Sequence, residues 1–341
     1  MKNISFVNKI IYLVNSLLAT GLLLSYVLPY ISPKTLSSFA FLSLIVPVLI
    51  LINLLFVIYW LIKLKKQFLL STSILVLGYF VTTPLYKLEE TKSSLNNDLK
   101  IMSYNVRMFN HWQWIDNETI PNKIKEFITA KDPDILVLQE YHNLDTPTFD
   151  FSHSYVKLKN DNSNIGLAIY SKYQIINKGS LELTNTANNI IFADILYEKD
   201  TIRIYNLHLQ SLELNTKAEN FGQENSEKLF ARLSAGFKKQ AAQTEKFLTH
   251  EANWFGKKIV AGDFNNTAYS WVYKQIAKNK KDAFVEAGKG FGKTFNYAFP
   301  LRIDFILADE NAIINQFTSF NEKNSDHFPI QARINWKVFV E

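Results

Sequence analysis

Two kinds of hydrophobic patterning divide the 341-residue chain. Up to Tyr86 the apolar residues come in blocks. No charged residue occurs at 10–33, 35–62 or 67–86, runs of 24, 28 and 20 residues. A helix needs about 20 apolar residues to cross a bilayer core. The blocks therefore predict three transmembrane helices, at about 10–30, 37–62 and 68–86. The first block could instead be a cleaved signal peptide. Its length, and the lack of a small-x-small site after it, favour a retained anchor. Residues 87–99, "KLEETKSSLNNDL", are polar and read as a linker. From Lys100 to Glu341 the blocks give way to short apolar runs of 5–9 residues punctuated by turn residues. "LKIMSYNV", "DILVLQE", "IGLAIYS", "IIFADILYE", "TIRIYNLHL", "KKIVAGDF", "RIDFILAD" and "IQARINWKV" are strand signals, rich in Ile, Val, Tyr and Phe. Two stretches, 122–131 and 226–250, have helix-forming composition. Many strands with few helices predict packed sheets flanked by helices.

Charge refines the picture. The net charge is +6. Residues 1–99 carry eight lysines and three acids, leaving 29 basic and 28 acidic residues in the remainder. The basic excess thus flanks the apolar blocks and is not the footprint of a strongly basic nucleic-acid binder. Lys2 and Lys9 precede the first block, and Lys63, Lys65 and Lys66 follow the second, whereas Lys34 stands alone between them. The positive-inside rule then puts the N-terminus in the cytoplasm of a bacterial-type cell. Three crossings of the inner membrane would leave the remainder periplasmic or extracellular. The apolar blocks contain no charge that could line an ion path, which argues against a transporter. The chain has no cysteine, so disulfides and thiolate metal sites are excluded.

Polar residues gather where the apolar runs stop: Asn105, Glu140, His208, Asp263 with Asn265, Asp304, and Asp326 with His327. A buried carboxylate is costly unless it is paired or metal-bound. One such residue has a local explanation in a turn or helix cap. Their recurrence points to a shared site.

The wording of these segments is specific. "SYNVR", "DILVLQE", "NLHLQS", "GDFN", "RIDFIL" and "SDHFP", in that order, resemble the endonuclease/exonuclease/phosphatase superfamily. "GDFN" and "SDHFP" carry most of the resemblance, which runs from about Lys100 to the C-terminus. It implies an α/β fold, a four-layer α-β-β-α sandwich of two packed mixed sheets flanked by helices. It also implies cleavage of phosphate esters with Mg²⁺ or Mn²⁺. Glu140 matches the family's metal-binding glutamate, and Asn105 matches the asparagine beside it. Asp326 would lie on the metal side. Asp263 would orient the attacking water, Asn265 and His208 would hold phosphate, and Asp304 would hold His327. Alternate spacing in an extended segment would put Asp263 and Asn265 on one face.

Departures narrow the class. His208 fits deoxyribonuclease- and sphingomyelinase-like members, and the missing proline after Asn206 makes abasic-site repair doubtful. The expected substrate is a phosphodiester in nucleic acid or in a phospholipid headgroup. The alternatives are an inositol-phosphate-type phosphomonoesterase and an inactive anchored binding or sensory module. No feature points to a protein partner. The aromatic clusters "FNHWQW" (109–114) and "YSWVY" (269–273) are either substrate-stacking rims or ordinary packing. Arg107 is either a phosphate ligand or a surface charge. His111, His142, His153 and His250 match no motif and read as surface residues.

Overall fold

The uncharged blocks fold as helices α1 (Phe6–Val27), α2 (Leu42–Ile62) and α3 (Phe68–Val81). The structure, a computed structural model, describes residues 5–91, 93, 95, 97–212 and 223–336. Two apolar helical stretches, Phe6–Tyr30 and Ser37–Ile62, are long enough to cross a membrane. The third expected span falls short. α3 has 14 residues, about 21 Å of helix against a hydrocarbon core of about 30 Å. It stops because Thr82 is already extended (φ −122°, ψ 169°) and Pro84 disfavours helix at Thr83.

A polar network joins the three helices. Asn15 donates to Ser71 Oγ at 2.7 Å, Ser71 donates to Asn53 Oδ1 at 2.8 Å, and Trp60 Nε1 donates to Asn15 Oδ1 at 3.0 Å. Asn53 donates in turn to the Leu49 carbonyl at 2.9 Å. Such bonds fix the three helices against one another in one register, since each buried polar group needs its partner.

The remaining elements are β1 (Leu99–Asn105), α4 (Ile120–Lys131), β2 (Ile135–His142), β3 (His153–Leu158), β4 (Ile165–Ser171), β5 (Ile175–Ser180), β6 (Asn189–Tyr197), β7 (Asp200–His208), α5 (Gln223–Glu251), β8 (Lys257–Asp263), α6 (Trp271–Ile276), β9 (Lys280–Asp282), α7 (Ala283–Ala287), β10 (Asp304–Asp309), β11 (Ala312–Ser319) and β12 (Ile330–Trp336). They build two six-stranded mixed sheets, ordered β11-β12-β1-β2-β4-β3 and β5-β6-β7-β8-β10-β9. Each sheet has one parallel pair at its centre, β1 with β2 and β7 with β8, flanked by antiparallel strands. The inner faces meet through Ile101, Val137, Ile191, Ile204, Ile259 and Ile306. The outer face of the first sheet packs Met102, Tyr104 and Leu138 against Ile120, Ile124 and Ile128 of α4. The outer face of the second packs Tyr205, Val260 and Phe305 against Phe247 of α5 and Val272 of α6. The expected sheets flanked by helices are therefore present.

The helical bundle rests on this sandwich. Lys34, in the α1–α2 loop, pairs with Glu245 of α5, and Ser234 bonds Ser37 at 2.6 Å. Tyr269 sits in the bundle's own core with Leu22, Val46 and Ile74. The polar segment after Tyr86 also lies on the sandwich, with Lys87 bridging to Gly290 and the Ser93 amide bonded to the Asn315 carbonyl.

Candidate active site

Sheet topology brings the polar strand ends together. The central strands are parallel, so their C-terminal ends share one edge of the sandwich. Asn105 ends β1, His208 ends β7 and Asp263 ends β8. Antiparallel neighbours meet that edge with their starts: Asp304 opens β10 and His327 precedes β12. The register sets His208 and Asp304 on either side of Asp263. Glu140 is aimed by a bulge. The β2–β4 register shifts between Leu138 and Tyr141, and Glu140 takes φ 49°. Bulges of this kind re-aim side chains at functional edges. The strand before Asp263 tolerates no side chain at Gly262. There φ is +136°, and a Cβ would sit 2.0 Å from the Leu207 carbonyl oxygen.

The side chains converge closely. Asn105 Nδ2 donates to Glu140 Oε1 at 3.2 Å and to Asp263 Oδ2 at 3.1 Å. His208 Nε2 stands 3.8 Å from both Glu140 Oε1 and Asp263 Oδ2. On the other side, His327 Nε2 is 3.7 Å from Asp263 Oδ2, while its Nδ1 faces Asp304 Oδ2 at 3.0 Å. That second contact fixes the imidazole ring with Nδ1 as donor. Asn105, Asp263, Asp304, His208 and His327 are all buried, and Glu140 is partly exposed. His208 Nε2 has no hydrogen-bond partner despite its burial.

Burial and charge set the protonation states. Burial would lower the His327 pKa, but the Asp304 and Asp263 carboxylates outweigh it and hold the ring well above its ordinary value. His208 goes the other way. Burial, with the His327 charge beside it, pushes it down to about 3, so it is neutral. Burial pushes Asp263 up to about 7 even though His327 opposes the shift. It raises Glu140 as well, with Asp326 adding to the effect. A carboxylate, a neutral imidazole and an imidazolium thus surround one small volume. Departures of this size are concentrated where groups do chemistry.

Other expected positions differ. β8 ends at Asp263, so Asn265 does not share an extended face with it. The Asp263 carboxylate accepts from the Asn265 amide at 2.7 Å, turning the chain to φ 50° at Asn265. The Asn265 side chain donates to the Leu209 carbonyl at 2.9 Å, within the same edge. Asp326 leans toward Arg107, whose Nε is 3.3 Å away, and Arg107 also lies 4.3 Å over the Trp114 ring. Arg107 is therefore paired and not a solitary surface charge. In "YSWVY", Tyr269, Val272 and Tyr273 are buried, so that segment is packing; Trp112 and Trp114 of "FNHWQW" are exposed.

Two expected surface histidines are also tied in. His142 is buried, its ring stacks on His111 at 4.0 Å, and both face Asp145. The cluster follows the left-handed run Arg107–Asn110, whose φ values are 43–65°. His250 is half-buried and bonds the Tyr205 hydroxyl at 3.0 Å.

Three supporting residues escaped sequence reasoning. Ser325 donates to the Asn105 carbonyl at 2.8 Å, and Thr294 Oγ1 accepts from the Asp304 amide at 3.1 Å. Gln240 of α5 donates to the Asn265 carbonyl at 3.1 Å. Ser325 lies within "SDHFP" and had a positional signal. Thr294 and Gln240 had none.

A cleft of about 400 Å³ opens beside Glu140 and His208, with Lys157, Lys159 and Lys239 on its walls. The donor set fits a hard divalent ion, which prefers oxygen ligands. Glu140 supplies a carboxylate, the Asp263 carboxylate lies beside it, and Asn105 bonds both. Asp263, Asp304 and His327 also bring three ligand-type atoms within 4.8 Å. There both Asp304 oxygens face His327 Nδ1, at 3.0 and 3.2 Å, which is the geometry of a held imidazole.

Comparison with known proteins identifies the scaffold. No curated protein matches the chain. Solved structures share its fold. An endonuclease/exonuclease/phosphatase family protein of Bacteroides thetaiotaomicron is 16% identical with a TM-score of 0.52, covering 72% of this chain and 98% of its own. The mannosyl-6-phosphatase of Bacteroides thetaiotaomicron VPI-5482 is 16% identical, TM-score 0.51, covering 70% and 100%. A truncated Caenorhabditis elegans TDP2 is also 16% identical, TM-score 0.51, covering 70% and 97%. Residues 8–85 match a family described as a domain of unknown function (DUF8431). Residues 102–327 match the model of the endonuclease/exonuclease/phosphatase family, and the chain belongs to that family.

Proposed function

We propose that this chain is a membrane-anchored, divalent-metal-dependent phosphoesterase that hydrolyses phosphodiester bonds. The observation that carries the reading is His208 Nε2, buried without a partner and 3.8 Å from two carboxylates, opposite an imidazolium held by Asp304. Such an arrangement suits a substrate oxygen bearing negative charge. In the reaction, a water oxygen bonds to phosphorus and the bond from phosphorus to the leaving oxygen breaks, and that oxygen departs as an alkoxide that takes its proton from solvent. Asp263 as carboxylate takes the water's proton. His327 faces the charge that grows on the phosphoryl oxygens, and the neutral His208 donates to them. Asn105 keeps Glu140 and Asp263 aligned. Mg²⁺ or Mn²⁺, bound at Glu140 with Asn105 and Asp326 near it, would supply Lewis-acid stabilisation of the leaving oxygen. Positioning and charge neutralisation account for most catalysis of this kind.

The membrane reading is supported by the apolar surface of the bundle. Phe6, Leu17, Leu55 and Ile62 are 64–76% exposed, an apolar surface of the kind that faces a membrane or a partner. The α1–α2 loop contacts the sandwich through Lys34 and Ser37. The sandwich therefore stands at the end of the bundle opposite Phe6, and the lysine bias assigns that end to the periplasm or exterior. The chain has no cysteine, so a Lys199→Cys variant offers one exposed thiol. Its labelling by an impermeant maleimide in whole cells, before lysis, is the expected result.

The substrate class is tested with full-length chain in detergent. Bis-p-nitrophenyl phosphate, a dinucleotide and phosphatidylcholine are compared with p-nitrophenyl phosphate and mannose 6-phosphate. Faster turnover of the diesters is expected. A second reading, phosphomonoesterase, is favoured by the three lysines of the cleft, which suit the extra charge of a monoester. Monoester preference would replace the first reading with the second. No turnover of any ester would leave an anchored binding module.

A further inference from the structure

A cavity that none of the catalytic side chains lines lies where the helical bundle meets the sandwich. We propose that it binds the headgroup phosphate of an anionic phospholipid in the leaflet facing the catalytic domain. The cavity measures about 710 Å³. On one side it is walled by the ends of α1 and α3, at Tyr30 and Thr82. On the other side it is walled by Lys274, Lys278 and Lys281 of the segment "KQIAKNKK" (274–281), which holds four lysines and no acid. Among the described residues, Lys280 is the one of the four that is paired with a carboxylate, Glu251 at 2.7 Å. Lys274 lies 4.1 Å over the exposed Tyr30 ring, Lys281 donates to the Ala312 carbonyl at 2.7 Å, and Lys278 is exposed. Of the two acids on the wall, Asp282 is already bound by Arg302 at 2.6 Å, so Glu286 alone faces three lysines.

The level of the cavity fixes the kind of ligand. Tyr30, Tyr79 and Phe80 are 61%, 82% and 77% exposed at the same end of the bundle. Exposed aromatics of this kind mark the headgroup layer. A basic cluster at that layer attracts anionic lipid. The neighbouring apolar residues Val27 and Val81 are exposed and offer a track for acyl chains. The inference rests on the membrane-embedded part of the proposed function and not on ester hydrolysis. Alkaline carbonate extraction reports the membrane part separately.

The test is native mass spectrometry of the full chain in detergent with equimolar phosphatidylglycerol and phosphatidylcholine of matched acyl chains. Phosphatidylglycerol adducts should exceed phosphatidylcholine adducts at least about fivefold, the effect of one basic residue near an anionic surface. The Lys274→Gln, Lys278→Gln, Lys281→Gln triple variant should bring the ratio close to one. A charge-matched variant on α4, Lys123→Gln, Lys125→Gln, Lys131→Gln, should leave it unchanged. Circular dichroism melting checks that each variant is folded. Should the first triple variant melt early, Lys278→Glu, at an exposed position, supplies the same comparison. Equal retention of both lipids, a pocket variant that behaves like the parent, or displacement of the lipid by millimolar inorganic phosphate would overturn the proposal. The last outcome would mean an anion site without lipid.

Discussion

Two buried polar clusters, one within the helical bundle and one at the sandwich edge, differ in how completely their groups are satisfied. In the bundle, Asn15, Asn53, Ser71 and Trp60 bond one another and the Leu49 carbonyl, and all of them are buried. None is titratable. At the sandwich edge, Asn105, His208, Asp263, Asp304 and His327 are equally buried, yet a His208 nitrogen is unpartnered and Asp263 is held near neutrality. A satisfied network fixes a structure. An unsatisfied one costs stability, since each buried polar atom without a partner loses about 1–3 kcal/mol of solvation. Such a cost is tolerated where a ligand completes the set. The comparison therefore separates a joint from a site without reference to any relative.

Mutations at the two clusters should separate activity from stability. The largest effect is expected at His327→Ala, which should lower kcat about 10²–10⁴-fold, the usual range for removing a general acid–base or charge-stabilising group. The melt should show a loss of stability too, since the buried Asp304 carboxylate loses its imidazolium partner while its amide still donates to Thr294 Oγ1. His327→Gln, which keeps a side-chain donor there, should lower kcat as strongly with a smaller change in melting. A stopped assay on a chromogenic diester with a parallel melt reads both. Next in size is Glu140→Gln. It keeps the Asn105 hydrogen bond but removes the charge. Half-activation by Mg²⁺ should then require at least about tenfold more metal.

The third effect is a proton. Burial pushes Asp263 up to about 7 from an ordinary 3.8. Between those values the folded chain holds a proton that the unfolded chain has lost, so folding stability falls as pH rises through the interval. A cation favours the carboxylate and expels that proton. Calorimetry of Mg²⁺ binding in buffers of different ionisation heat should show about one proton released at pH near 6 and little near 8.5. Asp263→Asn should remove the release. The smallest effect belongs to the bundle. Ser71→Ala should cost about 1 kcal/mol of stability and leave kcat unchanged, as interhelical bonds in membranes contribute little each.

One side of this contrast was legible in the sequence: apolar runs that stop on polar residues, and the motifs they resemble, marked the sandwich edge, whereas the Asn15, Asn53 and Ser71 network carried no signal. Uncharged blocks gave helices, and alternating runs gave strands that end on polar residues. What the sequence hid was backbone detail. The third span ended early because Pro84 acts on Thr83 two residues after an apolar run that still reads as membrane. Glu140 reaches the site through a bulge, and a bulge has no residue signature in "LQEYH". Asn265 turns away because the Asp263 carboxylate caps its amide, a choice made by geometry after the strand ends. Long-range contacts were the least visible. His111 with His142, and Tyr269 within the bundle, come from segments that local pattern treats as rims or surface.

The unsatisfied cluster as a metal-dependent phosphoester site is the central claim. Turnover of bis-p-nitrophenyl phosphate by the full-length chain in detergent tests it most directly, with Mg²⁺, with EDTA, and with the His327→Ala variant. Turnover that requires Mg²⁺ and disappears in both controls is the predicted result. Turnover that survives EDTA, or that His327→Ala leaves intact, would contradict the account.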